Sequence, residues 1–516
     1  MVKVKINHKA YVFQESVSVL EAAQRSGIEV PALCYYEGIE HFTSCMICLV
    51  KDNQSGRLFP SCSHYIYDGM DITTDDEEIR EARRTGLELL LSEHVGDCEA
   101  PCTIACPANM NIPLMNRLLE RGDMDQALEE VRKNIALPGV LGRICPAPCE
   151  GACKRKPVDG AVSICLLKRY AADYGKERII KKPVQTDKKA AIIGSGPAGL
   201  AAAYYLRMQG IACDVYDKNP LPGGNLRYAI PDDQLPKQVL DSEIQYIEKS
   251  GVNLNQNSPV NKTRFEQLQH EYDAIILASG DFTEELAHWG LDNNGKQLQV
   301  DRRTFQTNAE KVFAVGNAIR SSKLAIRSLA QGKDVAVSVH QYVLGMEVTG
   351  KRKVFNSKFG RLLKDEYPEY TKEATQFERF EPSRGTQHGF TLREMVNEAS
   401  RCMHCDCRKM DHCKLRDFAD EYGVNQKRFD YSNREPVTKL IQKEWVVYEP
   451  GKCIKCGICV RLTAQYQEEF GLTFIGRGFE VKIGVPFDRD LKTGLTKTAK
   501  LVAQACPTGA LAAITT

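Results

Sequence analysis

The chain has 516 residues, 69 Lys and Arg against 67 Asp and Glu, and 43% hydrophobic content, so roughly 100–200 residues per domain predicts about three to five domains. A net charge of +2 removes the electrostatic case for nucleic acid or an anionic membrane surface, and no apolar run nears the roughly 18 residues of a membrane-spanning helix. The opening MVKVKINHKAYVF lacks the basic-then-apolar order of a secretory signal, so a cytoplasmic location is expected, where the 20 cysteines point to metal centres and not to disulfides.

All the cysteines but Cys213 fall into four groups. Cys213, inside IACDVYD, reads as a small buried hydrophobe on a strand. In the first group, Val2, Val4 and Ile6, then Tyr11 and Phe13, alternate as two strands around a turn at NHK. SVSVLEAAQRSGIEVP predicts a helix with Ser18 near its N-cap and Gly27 at its end. Cys34, Cys45, Cys48 and Cys62 follow, separated by ten, two and thirteen residues. Four thiolates in tight loops suit a [2Fe–2S] cluster, and the paired C-x2-C spacing of a zinc site is absent. Residues 1–78, including VLEAAQRSGIEVPALC, resemble the ferredoxin-like N-terminal domain of the large iron–sulfur subunit of respiratory complex I and of iron-only hydrogenases. That resemblance implies a β-grasp fold.

In residues 79–178, DCEAPCTIACP and GRICPAPCEGACKRK frame NRLLERGDMDQALEEVRKNIA, whose Leu118, Leu119, Ala127, Leu128 and Val131 recur at helical spacing. The two cysteine strings resemble the N-terminal domain of the glutamate synthase small subunit and of dihydropyrimidine dehydrogenase, an α-helical domain with two [4Fe–4S] clusters. Carried over by motif, the resemblance gives Cys98, Cys102 and Cys153 to one cluster and Cys106, Cys145 and Cys149 to the other. Each set lacks a ligand. His94, four residues before Cys98, is expected to complete the first, as a His-x3-Cys start does in the complex I subunit; the competing reading is a surface histidine capping a helix. Cys165 is expected to complete the second, one helical turn before Lys168, where the related enzymes place a polar ligand.

Residues 187–345 begin KKAAIIGSGPAGLAAAYYLRMQGIACDVYDK, a strand, tight turn, helix and strand. Gly194, Gly196 and Gly199 form G-x-G-x-x-G, with Ser195, Pro197 and Ala198 in the same turn, and Asp217 and Lys218 end the second strand where a ribose is held. PLPGGNLRYAIP (Gly224, Asn225, Leu226) and VFAVGNAI (Gly316, Asn317) resemble flavin-contacting loops of the glutamate synthase small subunit family, which implies FAD. The family has Gly-Asp where Gly316-Asn317 stands. It also inserts a second dinucleotide-binding domain before this late loop. Here YDAIILASG ends at Gly280 and VFAVGN starts at Val312, and roughly thirty residues cannot supply a domain that needs on the order of a hundred. A Rossmann-like FAD domain without its NAD(P)H insertion is expected.

Residues 346–400 (KRKVFNSKFGRLLKDEYPEY at the start) read as a solvated helical connector. In 401–440, Cys402, Cys405, Cys407 and Cys413 lie within twelve residues, predicting one metal centre. It would be a [4Fe–4S] cluster, with zinc as competitor and His404 and His412 as alternative ligands. In 441–516, GKCIKCGICV supplies Cys453, Cys456 and Cys459 and ACPTGAL supplies Cys506, the ferredoxin [4Fe–4S] signature. Thr463 stands where a second cluster would take its ligand. FGLTFIGRGFEVKIGVPF resembles hydrogenase and complex I subunits.

The expected protein is a multidomain α/β and α+β chain with one [2Fe–2S], up to four [4Fe–4S] and one FAD. No catalytic acid–base pair or nucleophile is evident. It reads as an oxidoreductase subunit that relays electrons, with partner subunits carrying the nicotinamide, formate, hydrogen or other substrate site. Two alternatives compete: a self-contained flavin enzyme whose substrate reaches the flavin directly, and a zinc-bearing assembly protein with a vestigial flavin fold.

Overall fold

The computed structural model describes residues 1–40, 42–176, 186–429, 434–442 and 446–514. Two compact units emerge: Met1–Glu99 with Val354–Lys372 and Cys405–Thr516, and Ala100–Lys353 with Glu373–His404. These cut across the domain limits expected from motifs, because the first unit takes residues 79–99 and both units take parts of 346–400. Among the described residues no helix is long and apolar enough to cross a membrane.

The first unit opens with the hairpin β1 (Val2–Ile6) and β2 (Lys9–Phe13), whose turn places Asn7 and His8 at positive φ (50° and 68°). Two left-handed residues make the turn twist match that of the strands. β3 (Leu49–Asp52), β4 (Leu58–Pro60) and β5 (Met70–Thr73) complete a sheet of order β2-β1-β5-β3-β4, with β1 and β5 parallel. Helix Val19–Arg25, capped by Ser18 Oγ accepting from Glu21 N (3.2 Å), buries Leu20, Ala22 and Ala23 in one core with Val4, Ile6, Val50 and Ile72. That is the β-grasp arrangement expected. Helix Glu77–Ser92 follows, and its buried Arg83 donates to the carbonyls of Leu49 (2.6 Å) and Thr74 (2.8 Å) and to Tyr422 Oη (3.0 Å).

In the second unit the expected helical stretch is two helices, Ile112–Glu120 and Met124–Arg132. Gly122 at φ 76° ends the first turn of the path and Asp123 caps the second helix through Gln126 N (2.9 Å). They pack with Pro138–Ile144 and Ile164–Tyr174 around Leu119, Ala127, Val131 and Leu167. A parallel sheet then forms from β6 (Lys189–Ile193), β7 (Ala212–Tyr216), β8 (Val252–Asn255), β9 (Ala274–Leu277) and β10 (Val312–Ala314), in the order β10-β9-β6-β7-β8. Strands β6, β9 and β10 are nearly wholly apolar, as expected where helices cover both faces. β9 pairs directly with β10, Leu277 opposite Ala314, and the segment between them carries helix Glu284–Ala287 and two isolated bridges, Asn293 to Leu298 and Gln306 to Phe313 on β10. No second nucleotide-binding sheet occurs among the described residues. Cys213 is buried on β7, as its apolar setting suggested, and burial pushes its thiol up.

The expectation of a solvated helical connector is overturned. Residues 354–363 run as irregular chain in the first unit, with Ser357, Phe359 and Leu362 buried. Side chains and a thiol accept from its backbone instead of helix carbonyls: Asp420 from Phe355 N (2.7 Å), Cys98 Sγ from Ser357 N (3.4 Å) and Asp97 from Phe359 N (3.2 Å). A mixed-charge composition hid this, because Ser357, Phe359 and Leu362 turn inward between more exposed neighbours. Helices within 346–400 are confined to the 3-10 turn Lys364–Glu366 and the α-helices Tyr367–Thr371 and Leu392–Ala399.

The first unit closes with β11 (Leu440–Gln442), β12 (Val446–Tyr448), β13 (Thr473–Ile475), β14 (Lys482–Gly484) and β15 (Leu511–Ala513). β11, β12 and β15 form one antiparallel sheet, and β13 pairs with β14.

Candidate metal and nucleotide centres

In the β-grasp module Cys34 lies in the loop after the helix, Cys45 and Cys48 lead into β3, and Cys62 follows β4. All four are buried and face one another. Cys45 and Cys62 hydrogen-bond to the Cys34 sulfur and draw its pKa down to about 2, whereas Cys62 is pushed up by the same contact. The backbone N–H groups of Cys45 and Ser44 also point at the Cys34 sulfur, and Ser61 N (3.0 Å) and Oγ (2.7 Å) hold the Cys48 carbonyl. Four convergent sulfurs served by backbone N–H donors fit a [2Fe–2S] cluster.

In the helical module Cys165, on helix Ile164–Tyr174, meets Cys145 and Cys149, and Cys106 interacts with Cys149. Contact with Cys145 and Cys149 drives the Cys165 thiol well below its ordinary pKa, and the same contact raises theirs. Lys168 is buried against this group, its Nζ 3.7 Å from Cys165 Sγ. Burial works to lower the lysine, but the sulfurs of Cys165, Cys145, Cys149 and Cys106 outweigh it and hold the ammonium charged. A cation buried among four sulfurs fits an anionic iron–sulfur centre, whose charge it offsets.

The C-terminal module gathers Cys453, Cys456 and Cys459 in the loop and helix after β12, with Cys506 capping helix Ala499–Ala505. They line a small pocket with Tyr448 and Thr508. Lys455 N donates to Cys453 Sγ (3.4 Å), and Thr508 Oγ1 lies 3.7 Å from Cys506 Sγ. The four sulfurs and the cavity fit a [4Fe–4S] cluster. Thr463 is buried and bonded to Val460 O (3.0 Å) and Leu472 N (3.0 Å), a structural use that fits a single-cluster module. Cys456 also lies within charge-interaction range of Cys34, so these two groups are neighbours in one unit.

The remaining cysteines are shared between the two units. Cys98 lies in the first unit, where its thiol faces Cys407. The group at 402–413 is divided between the two units. Cys407 and Cys413 face Cys98, Cys405 lies near Tyr370, and Cys402 belongs to the second unit with Cys102 and Cys153. There buried Arg155 donates to the Arg401 carbonyl, and Arg401 Nη2 donates to Asp159 (3.0 Å), which draws the chain before Cys402 to the Cys153 segment. Spacing restricts reach only within a loop, and these groups are assembled by packing between segments distant in sequence. His94 is buried, not a surface cap. Burial depresses its imidazole to about 4, with Lys452 acting in the same direction. His404 meets Arg117 (3.3 Å), and no described contact joins His412 to a cysteine. The roles of Lys168, Lys452 and Ser357 had no signal in the sequence beyond proximity to cysteine strings.

The nucleotide turn lies at the end of β6, where neighbouring strands β7 and β9 connect in opposite directions and a crevice opens. Gly194 has φ 110°, and a Cβ there would overlap the Ala278 carbonyl. A Cβ on Gly199 would overlap the Gly194 carbonyl, so its absence lets helix Pro197–Met208 pack on the strand. Gly196 differs: a Cβ would meet nothing within 4 Å. Open space over a helix N-terminus is where a pyrophosphate fits. Ala198 lies close to the late loop, a Cβ on Gly316 falling 3.4 Å from Ala198 Cβ. Gly316 N donates to Gln331 Oε1 (2.8 Å), and Asn317 Nδ2 donates to Asp281 (2.8 Å). Gly224 approaches Gly196 Cα, Leu226 is buried, and Asn225 and Lys218 are exposed. Asp217 Oδ2 accepts from Ser195 N (2.7 Å) and Oγ (2.7 Å), and Oδ1 accepts from Asn219 N and Nδ2 (both 2.9 Å). A ribose hydroxyl must share those acceptor positions.

Four family descriptions match this chain. Residues 1–77 match a 2Fe-2S iron–sulfur cluster binding domain, and residues 72–180 match dihydropyrimidine dehydrogenase domain II, 4Fe-4S cluster. Residues 192–258 match an NAD(P)-binding Rossmann-like domain, and residues 444–512 the ferredoxin-like domain of NADH-quinone oxidoreductase subunit 3. The beta subunit of NADPH-Fe(3+) oxidoreductase from Geobacter sulfurreducens is 39% identical over 188 residues, 35% of this chain and 28% of that one. The beta subunit of NADP(+)-dependent formate dehydrogenase from Moorella thermoacetica is 37% identical over 207 residues, 35% of this chain and 29% of that one. The Bacillus subtilis glutamate synthase small chain is 36% identical over 215 residues, 40% and 43% of the two chains. The modular resemblances expected from the motifs therefore hold, as does the mixed α/β class with ferredoxin-like and Rossmann-like domains. The chain spans less than half the length of each of these relatives.

Proposed function

We propose that this chain is the electron-transferring flavo-iron–sulfur subunit of a larger cytoplasmic oxidoreductase. The observation that carries this reading is the adjacency of Cys456 to Cys34, which sets two four-sulfur groups next to each other in one unit. When bound, FAD exchanges electrons singly or in pairs while clusters carry one at a time, so a chain holding both couples the two kinds of traffic.

The residues divide that work. Cys34, Cys45, Cys48 and Cys62 hold a [2Fe–2S] cluster, and Cys453, Cys456, Cys459 and Cys506 hold a [4Fe–4S] cluster. Cys106, Cys145, Cys149 and Cys165 hold another, with Lys168 offsetting its charge, and Cys102, Cys153 and Cys402 give sulfurs to a second centre in that unit. Gly196 and the helix behind it receive the FAD pyrophosphate, Asp217 and Lys218 face its ribose, and Gly224, Asn225, Leu226, Gly316 and Asn317 line the rest. The choice of FAD over a nicotinamide cofactor is supported by the late loop beside the glycine turn and by direct pairing of β9 with β10, which leaves no inserted NAD(P)H domain. Partner subunits then carry the nicotinamide, formate or other substrate site.

The purified chain should contain about 14 irons for the centres named here, one [2Fe–2S] plus three [4Fe–4S], and about 18 with a fourth [4Fe–4S]. Offered NADH or NADPH alone, its flavin band should stay oxidised. Rapid bleaching by either nucleotide without a partner overturns the division of labour, and zinc in place of iron overturns the relay.

A further inference from the structure

Three cysteines and one histidine meet in the first unit outside the centres assigned above. Cys407 N donates to the Cys98 carbonyl (3.0 Å), which lays the 405–413 turn along residue 98. Cys413 begins helix Lys414–Glu421, and Arg416 in its first turn donates to Glu99 Oε1 (2.9 Å) and to the Met410 carbonyl (3.1 Å). Both ends of the turn are thereby fastened to the Cys98 segment. The thiols of Cys98, Cys407 and Cys413 lie within charge-interaction range of one another. His94 is tied into the same place: Val95 N donates to the Gly451 carbonyl (2.6 Å), and the imidazole faces Lys452, whose ammonium also faces Cys98 and Cys407.

All four side chains are under 9% exposed. Ser357 N donates to Cys98 Sγ at 3.4 Å, the same kind of N–H to sulfur bond that Lys455 makes to Cys453. Gly509 leaves room for the third thiol, since a Cβ there would overlap Cys407 Sγ. Lys452 is itself held by Glu449 (2.6 Å). Three buried thiols and an imidazole around a lysine make a donor set of thiolates with one nitrogen.

We propose that His94, Cys98, Cys407 and Cys413 hold one further iron–sulfur centre, of the [4Fe–4S] class. The proposal rests on the relay reading in choosing iron over zinc. Cys413 lies within charge-interaction range of Cys506, and Leu415 N donates to the Pro507 carbonyl (3.4 Å). The site is therefore next to the C-terminal group, whose Cys456 faces Cys34. The three groups form a series, and a redox-inactive zinc ion would end it.

The test uses the full chain purified without oxygen. Cys413→Ala and Cys407→Ala should each lose about four irons and one low-temperature EPR signal of the reduced protein, while the [2Fe–2S] signal and the flavin remain. Cys213→Ser should lose none. His94→Cys, which keeps a ligand, should retain the irons and shift the same signal; this variant decides the matter if the alanine proteins do not fold. Unchanged iron and spectra in these variants, or loss of one zinc instead of iron, overturn the site. Failure of the relay is a separate result: reduced clusters that do not exchange electrons with the flavin would sink that reading and leave this centre standing.

Discussion

Replacing Lys168 by Met should lower the reduction potential of the centre held by Cys106, Cys145, Cys149 and Cys165. Adding an electron there adds negative charge, and the buried ammonium stabilises the reduced state. With an effective dielectric constant of about 20, a unit charge acting across the 3.7 Å between Lys168 Nζ and Cys165 Sγ is worth about 4.5 kcal/mol. The added electron is spread over the group that faces the lysine, which dilutes the effect to roughly half, about 2 kcal/mol. For one electron that is a fall of about 100 mV. Redox titration of the full chain followed by EPR measures it, and Lys168→Arg, which keeps the charge, should shift the midpoint far less. A Met variant with an unchanged or higher midpoint would refute the view that this lysine serves an anionic centre.

The second and third glycines of the nucleotide turn should respond oppositely to a methyl group. Gly199→Ala drives a Cβ into the Gly194 carbonyl and should cost on the order of 2–3 kcal/mol of stability through forced overpacking. Gly196→Ala meets open space, so its melting without ligand should match the parent while flavin affinity falls at least about tenfold; retained flavin in that variant would displace the pyrophosphate from this turn. Glu243 accepts from Gly139 N (2.8 Å) and Val140 N (2.9 Å), and burial raises its carboxyl to about 7, against the lowering influence of Arg132. The native state then holds a proton that the unfolded state releases near 4.5, so its contribution to stability falls as pH rises from about 4.5 to 7, by on the order of 3 kcal/mol. Glu243→Gln should flatten that slope in thermal melts taken across pH 5–8; an identical slope would exclude Glu243 as its source.

Much of the architecture was readable because its determinants are local. The alternation of Val2, Val4 and Ile6 and the Ser18 cap announced the β-grasp module, and G-x-G-x-x-G after an apolar strand announced the parallel sheet. The error at residues 346–363 came from composition: charged and polar residues around buried Ser357, Phe359 and Leu362 mimic a solvated helix when only average polarity is read. The helical stretch expected at 116–136 is divided at Gly122, a left-handed residue that costs little in sequence pattern but ends a helix.

Ligand sets differ in the same way. C-x2-C-x2-C confines three sulfurs to one loop, so Cys453, Cys456 and Cys459 had to meet whatever the rest of the chain did, and Cys45 with Cys48 likewise. The amino-acid order alone therefore specified that thiols would gather and that a dinucleotide turn would form. Only tertiary packing decided that Cys98 should face Cys407 and Cys413 while Cys402 went to the other unit, because those distances depend on Arg155, Arg416 and the buried strap at 354–359. Short-range spacing is limited by covalent reach, whereas the meeting of distant segments is set by which buried hydrogen bonds and apolar surfaces can be satisfied together.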